Sequence, residues 1–288
     1  MTTIVSLIGE QPIPNLLPLR HLRPDVAVLV HTERTASIAA NLKALLESRC
    51  ACHLCEVDPY HIPRIYDRLA RLVEEFPGEP LMFNLTGGTK PMMLAAYCLA
   101  QEGNSPFVYF QTEGGHSCLY RYAFTEGNVT LETAEELPDT ISLDDYLRVH
   151  VGHYETGKPQ DDFEREVHNA LATTPGLEVL TCVRPQDLAA LEIDFVVRLG
   201  NQIGIGEVKR KGAKAGIDQI NAVADQRYLG TYIAKFLISA RPVDRNNRAL
   251  AQAYRIEVIE LPSFTDTERL DEGDRQKLVD AIRRRLGG

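Results

Sequence analysis

The sequence predicts an α/β protein in two parts, a doubly wound parallel sheet over the first half and a second α/β domain after it, and three observations carry this. First, five apolar runs of strand length, Ile4 to Ile8, Val26 to Val30, Ala51 to Glu56, Leu81 to Leu85 and Phe107 to Gln111, alternate with segments of helical period. Second, Gly200-Asn201 sits between two β-branched runs as a two-residue hairpin turn. Third, 288 residues that are 44% hydrophobic and 25% charged suit a globular chain with ample core. No apolar run approaches the roughly 18 residues of a membrane span. The N-terminus, Met1-Thr2-Thr3-Ile4, lacks the charged and long apolar regions of a leader. The expectation is a cytoplasmic protein with no membrane partner.

In the first half, Ile38, Leu42 and Leu45 mark one helix, and Ile62, Ile65, Leu69, Leu72 and Phe76 mark another. Ligands of such sheets bind beyond the carboxyl ends of the strands, at the point where strand order reverses. The segments leaving those ends are therefore the candidates: Gly9 to Asn15 after the first strand, His31 to Thr35 after the second, and Thr86-Gly87-Gly88-Thr89-Lys90-Pro91 after the fourth. The last runs into a helix over Met92 to Glu102. Glycines admit close backbone approach, Pro91 suits a first helical turn, and free N–H groups at a helix start favour anions. The lysine spacing is not that of a Walker loop. Thr112 to His116 is a turn that carries Cys118 to Phe124 back as a hairpin, and Ser142-Leu143-Asp144-Asp145 caps a short helix through Leu147. Gly152 to Gln160 has the composition of a connector, so the domains are expected at 1–150 and 161–288, with a linker at 151–160.

In the second half, a two-residue loop pairs Leu199 with Gln202 and so sets Asp194 opposite Glu207. Lys209 falls on the same face, diagonal to Asp194. Like charges directly opposed are unfavourable unless a cation lies between them. Two carboxylates beside an ammonium suit a divalent metal that activates water against a phosphodiester. Gly204 and Gly206 are read as allowing close approach of backbone or ligand. The run Arg210, Lys211, Lys214 would hold a phosphate backbone. Phe163, Val167, Ala170 and Leu171 form the apolar stripe of a helix with Glu164 and Glu166 at its edges. Ile217, Ile220, Ala224 and Tyr228 form the inward stripe of another. A strand at Lys235 to Ser239, a helix around Ala249 to Tyr254, a strand at Ile256 to Ile259 and a helix over Asp274 to Leu286 close the domain.

Charge separates the halves. Residues 1–157 hold 11 Lys and Arg against 20 Asp and Glu, whereas residues 158–288 hold 20 against 20, so the second half is the better partner for a polyanion. The overall charge of −9 excludes a nucleic-acid coat protein but not an enzyme with a local basic groove. The six cysteines make no disulfide framework in a chain of this length. Cys50, Cys52 and Cys55 with His53 lack a second ligand pair and are read as ordinary thiols rather than a zinc site. His150, His153 and His168 have no motif partner.

Asp194 followed, across a hairpin, by Glu207-Val208-Lys209 resembles the PD-(D/E)xK nuclease superfamily over roughly Asp161 to Leu261, although Ile193 stands where that family has proline. The resemblance implies a restriction-endonuclease-like α/β domain with catalytic Glu164, Asp194, Glu207 and Lys209. It also implies Mg²⁺ or Mn²⁺ held by Asp194, Glu207 and the carbonyl of Val208, and nucleic-acid contacts from Gln219 beside Arg210, Lys211 and Lys214. The Thr86 to Lys90 loop, with the segments after strands one and two, resembles the CARF domain of CRISPR-associated effectors over roughly Thr2 to Arg148. That resemblance implies a Rossmann-like sensor of cyclic oligoadenylate, with tetra-adenylate the expected ring, lined by Gly9, Gln11, Pro14, Asn15, Thr32, Glu33, Thr86, Gly87, Gly88, Thr89 and Lys90. Together they imply a homodimeric, cyclic-oligoadenylate-activated, metal-dependent nuclease of type III CRISPR antiviral defence, cleaving DNA, RNA or both. Two alternatives stay open: a sensor that binds nucleic acid without cleaving it, and a CARF protein that degrades its own ligand.

Overall fold

The computed structural model describes residues 1–76, 80–186, 192–224, 229–230 and 233–287. It divides into two compact units, Met1–Thr140 and Ile141–Gly288.

The first unit runs β1 (Thr3–Leu7), α1 (Ile13–Leu22), β2 (Val26–His31), a 3-10 turn (Glu33–Thr35), α2 (Ala36–Leu46), β3 (Ala51–Glu56), α3 (Ile62–Glu74), β4 (Leu81–Asn84), α4 (Lys90–Glu102), β5 (Phe107–Glu113), β6 (His116–Thr125) and β7 (Asn128–Glu136). Its sheet has the order β3-β2-β1-β4-β5-β6-β7, parallel through β5 and antiparallel beyond. After β3 the chain returns past β1 to place β4 on its other side. The strand order therefore reverses between β1 and β4, and the loops leaving those two strands diverge there. β1 and β2 are buried at every position, as strands covered on both faces must be. Val5, Leu7, Val28, Ile65, Leu69, Phe83, Met92 and Ala96 share one core.

Two elements depart from the sequence reading. Pro14 and Asn15, expected in a loop, lie in α1, because the fixed φ of proline suits a first helical turn and Pro14 occupies one. β7 is exposed throughout, its alternating Val129 and Leu131 included; it forms by adding to the open edge of β6.

The second unit runs α5 (Leu143–Val151), β8 (Tyr154–Glu155), α6 (Asp162–Ala172), β9 (Glu178–Pro185), β10 (Ile193–Leu199), β11 (Gln202–Lys209), α7 (Ala213–Val223), β12 (Ala234–Ser239), α8 (Arg245–Ala253), β13 (Ile256–Glu260), α9 (Ser263–Thr267) and α10 (Glu272–Leu286). Its sheet has the order β13-β12-β11-β10-β9-β8, antiparallel from β11 to β8 and parallel from β11 to β13. Phe163, Phe195, Val208, Phe236 and Phe264 centre the core.

The units part at 140/141, ten residues before the expected linker. Ser142 caps α5 by accepting from Asp145 N, and α5 builds onto the second unit, where Tyr146 donates to the carbonyl of Leu229. Within the expected linker at 151–160, β8 pairs with β9. Tyr228, expected to face inward with Ile217, Ile220 and Ala224, lies outside the described residues; those three are buried.

Candidate functional site

Two groups of candidate residues come together, one in each unit. In the first unit, the β1 and β4 loops touch through glycine. A Cβ on Gly87 would fall deep inside the carbonyl oxygen of Leu7 and 3.0 Å from Asn15 Nδ2, and one on Gly9 would lie 3.2 Å from Gly88 N. Gly88 has φ +74°, which favours glycine. Thr89 caps α4 by accepting from Met92 N at 3.3 Å, and it donates to the carbonyl of Pro59 at 2.6 Å. Lys90 opens the helix and is exposed.

Asn84, which the sequence reading did not single out, ties this end of the sheet together. Its Oδ1 accepts from Thr86 Oγ1 at 2.7 Å and from Thr86 N at 3.2 Å, and its Nδ2 donates to the carbonyl of Pro14 at 3.1 Å and to Asn15 Oδ1 at 3.4 Å. Thr86 Oγ1 in turn accepts from Phe110 N at 2.8 Å. A polar residue closing an apolar parallel strand was the available signal. Asn15 is fully buried, and its Nδ2, like Gln11 Nε2, is buried without an acceptor. Two amide donors without partners beneath glycine loops and a helix start make a region that favours an anion. Thr32 is buried and donates its N–H to Thr35 Oγ1, whereas Glu33 is exposed.

In the second unit the hairpin has the expected register, Leu199 with Gln202 through Phe195 with Gly206, which brings Asp194 opposite Glu207. The ammonium of Lys209 lies 3.4 Å from Asp194 Oδ2 and 2.7 Å from Glu207 Oε2, so it is the cation between the opposed carboxylates. Asp194 Oδ2 also accepts from Val208 N at 2.7 Å. Glu207 is 1% exposed. Its Oε2 has the Lys209 ammonium as its ionic partner. Burial first, then Asp194, raises the Glu207 carboxyl to about 8 despite the lysine.

Burial also raises Glu164 at the start of α6. Its Oε2 accepts from Gln160 N at 2.6 Å, and the charge of Asp194 adds to the shift. Glu166 points elsewhere, accepting from Leu270 N and Arg275 Nη2, each at 3.2 Å. Arg210, Lys211, Lys214 and Gln219 are exposed. Arg210 spans Glu268 at 3.7 Å and the ring of Phe264 at 5.1 Å.

Gly204 and Gly206 serve packing and not a ligand. A Cβ on Gly204 would meet Phe236 at 2.6 Å, and one on Gly206 would overlap the Phe195 ring, on the face opposite Glu207. Cys55 is buried, and burial pushes Cys52, whose Sγ is 3.7 Å from that of Cys50, up to about 12.

Among the described residues no three His, Cys, Asp or Glu side chains converge as a metal cluster. Two carboxylates are nonetheless the number Mg²⁺ uses beside water and phosphate oxygens. The almost wholly buried carboxyl of Glu207 faces that of Asp194 across the hairpin, an opposition that a divalent cation would relieve, so the residues fit one. Among the described residues no helix is long and apolar enough to cross a membrane.

Residues 3–146 match the family model described as the Card1 CARF domain. In fold the chain is similar to Can2 from Sulfobacillus thermosulfidooxidans, solved in complex with cyclic tetra-adenylate, at 16% identity and TM-score 0.76 over 98% of this chain and 99% of that one. It is similar to protein VC1899 from Vibrio cholerae at 16% identity and TM-score 0.75 over 100% and 99%. A type III CRISPR defence DNA nuclease activated by cyclic oligoadenylate is similar over 85% of this chain and 47% of its own, at 17% identity and TM-score 0.58. No curated protein sequence matches the chain.

Proposed function

The chain belongs to the Card1 CARF family, and from that premise we propose that it is a homodimeric, metal-dependent nuclease of type III CRISPR antiviral defence, switched on by cyclic oligoadenylate. The observation that carries the nuclease half of this reading is the Lys209 ammonium lying between the opposed carboxylates of Asp194 and Glu207 on a hairpin followed by a basic run. It supports the reading of the second unit as a restriction-endonuclease-like domain with a PD-(D/E)xK centre.

In this reading the second unit, 141–288, is the nuclease. Asp194, Glu207 and the carbonyl of Val208 would hold Mg²⁺ or Mn²⁺, which when bound would make water a stronger acid and draw charge from the scissile phosphate. Lys209 keeps its proton and faces the charge that develops as water attacks phosphorus and the sugar oxygen leaves. Glu164 orients or accepts a proton from the water through an oxygen already aligned by Gln160 N. Arg210, Lys211, Lys214 and Gln219 hold the nucleic-acid backbone, which explains how a chain of charge −9 binds a polyanion.

The first unit senses. Gly9, Gln11, Pro14, Asn15, Thr32, Glu33 and the Thr86, Gly87, Gly88, Thr89 and Lys90 loop line the ligand, with tetra-adenylate the expected ring. A rotationally symmetric ring is best held by two identical surfaces about a two-fold axis, hence the homodimer. Activation then requires that the active arrangement bind the ring more tightly than the inactive one.

The test is purified protein with Mg²⁺ or Mn²⁺, a panel of cyclic oligoadenylates, and labelled single- and double-stranded DNA and RNA. Cleavage that needs both metal and ring is expected. Binding of a ring with no cleavage of any substrate would refute the nuclease half, and consumption of the ring itself would mark a ligand-degrading enzyme.

A further inference from the structure

Tyr60 is the most exposed large apolar side chain among the described residues, at 74%. It stands in Asp58 to His61, between β3 and α3, and the backbone there is pinned on both sides. Asp58 Oδ1 accepts from Tyr60 N at 2.8 Å and from His61 N at 2.9 Å, which closes a tight side-chain-to-backbone turn. The Pro59 carbonyl accepts from Thr89 Oγ1 at 2.6 Å. His61 caps α3 through Nδ1, which accepts from Arg64 N at 3.3 Å. The ring is thus carried on a fixed turn hydrogen-bonded to Thr89, the residue that caps α4 and closes the Thr86 to Lys90 loop.

The negative charge of Asp58 is already engaged by two N–H groups and by Arg64 at 4.0 Å, so it does not make the turn hostile to an anion. An aromatic face left in water gives up the gain of burying it. A ring on a fixed turn loses little freedom when a ligand covers it. A face of this kind beside a phosphate-holding loop suits a nucleobase, whose π-face stacks on tyrosine while the backbone phosphate rests on N–H groups. We infer that Tyr60 is a further ligand-binding residue of the sensor, stacking on an adenine of the cyclic oligoadenylate whose phosphates the Thr86 to Lys90 loop holds. The inference rests on the sensor reading above.

The experiment is calorimetry of the full chain with cyclic tetra-adenylate at low and high salt, for the wild type, Tyr60→Ala and Tyr60→Phe. Stacking predicts that Tyr60→Ala binds about tenfold or more weakly while Tyr60→Phe stays within about twofold. It also predicts an unchanged salt slope, since no phosphate contact is lost, and an unchanged thermal midpoint, since an exposed ring supports no core. Wild-type affinity in Tyr60→Ala, with the wild type binding tightly, would overturn the assignment and leave the sensor reading standing. A lowered thermal midpoint that accompanies the lost affinity and is restored by the ring of phenylalanine would make the role structural and also overturn it. If the wild type binds no cyclic oligoadenylate of any ring size, the sensor reading fails and this inference with it.

Discussion

The two candidate sites are built to meet negative charge from different materials. At the β1 and β4 loops of the first unit the donors would be backbone N–H groups of the glycine loop and of the start of α4, with buried amides, and the glycines are there because nothing larger fits. At the β10–β11 hairpin of the second unit the chemistry resides in side chains: two carboxylates and an ammonium, one of the carboxylates almost wholly buried. A site made of backbone tolerates loss of side-chain atoms and fails when atoms are added. A site made of buried ionised side chains tolerates neither loss of a group nor change of its proton.

The largest effect is expected in the hairpin. Asp194→Ala or Glu207→Ala should reduce ring-stimulated cleavage by roughly 10³-fold or more, and Lys209→Ala by about 10²-fold, since these contacts strengthen as charge develops at phosphorus. Affinity for the ring, measured by calorimetry, should stay at the wild-type value in all three. Full cleavage by either carboxylate variant would move the centre away from this hairpin.

Next is the mirror experiment in the first unit. Gly87→Ala adds one methyl group against the Leu7 carbonyl, a backbone atom that cannot rotate aside. Overpacking of this kind costs about 1–3 kcal/mol, so the thermal midpoint should fall and ring affinity with it. An alanine variant with wild-type midpoint and affinity would show that the loops do not meet as described.

These expectations indicate what the sequence could carry. The hairpin site was legible because a two-residue turn fixes register by counting, and from register follow the Asp194 and Glu207 pairing and the place of Lys209. The loop candidates were legible because parallel strands joined through helices send all their leaving segments to one edge of the sheet. Asn84 was not, since its importance lies in hydrogen bonds to residues about seventy positions earlier in the chain. Tyr60 was not, since local pattern does not tell an exposed tyrosine from a buried one. Nor could so short an alternation reveal β7, whose stability comes from its neighbour's open edge. The role first given to Gly204 and Gly206 failed for a related reason: an absent side chain reads alike whether a ligand or a phenylalanine fills the space.

A smaller effect concerns protons. In the metal-free protein burial and the neighbouring Asp194 push the folded Glu207 carboxyl up to about 8, from the 4.5 of an unfolded glutamate. Between those values the folded state binds the extra proton, so this group favours the fold at the acid end and that contribution is lost as pH rises towards 8. Each unit of difference is worth about 1.4 kcal/mol, moderated by Lys209, which favours the ionised form. Thermal unfolding in chelator should therefore show stability declining from pH 5 to pH 8, with a flatter profile in Glu207→Gln. Mg²⁺ or Mn²⁺ should reverse the decline, because a divalent cation favours the ionised carboxylate. A wild-type profile identical to that of Glu207→Gln, with and without metal, would remove the buried carboxyl as its source.

The smallest effect is expected at Lys90, where the contrast between backbone and side-chain sites is put most directly. If backbone N–H groups and the start of α4 carry most of the attraction for phosphate, this exposed side chain adds a screened charge only. Such a charge contributes about 1 kcal/mol or less. Lys90→Ala should then bind cyclic tetra-adenylate no more than about fivefold more weakly. Because one cation fewer meets the phosphates, its affinity should also depend less steeply on salt than that of the wild type. Its thermal midpoint should be unchanged, since the residue is exposed and α4 keeps its Thr89 cap. A loss of a hundredfold or more would mean that the lysine, and not the loop backbone, is the principal phosphate ligand, and the first unit would then hold its anion by a side chain as the second one does.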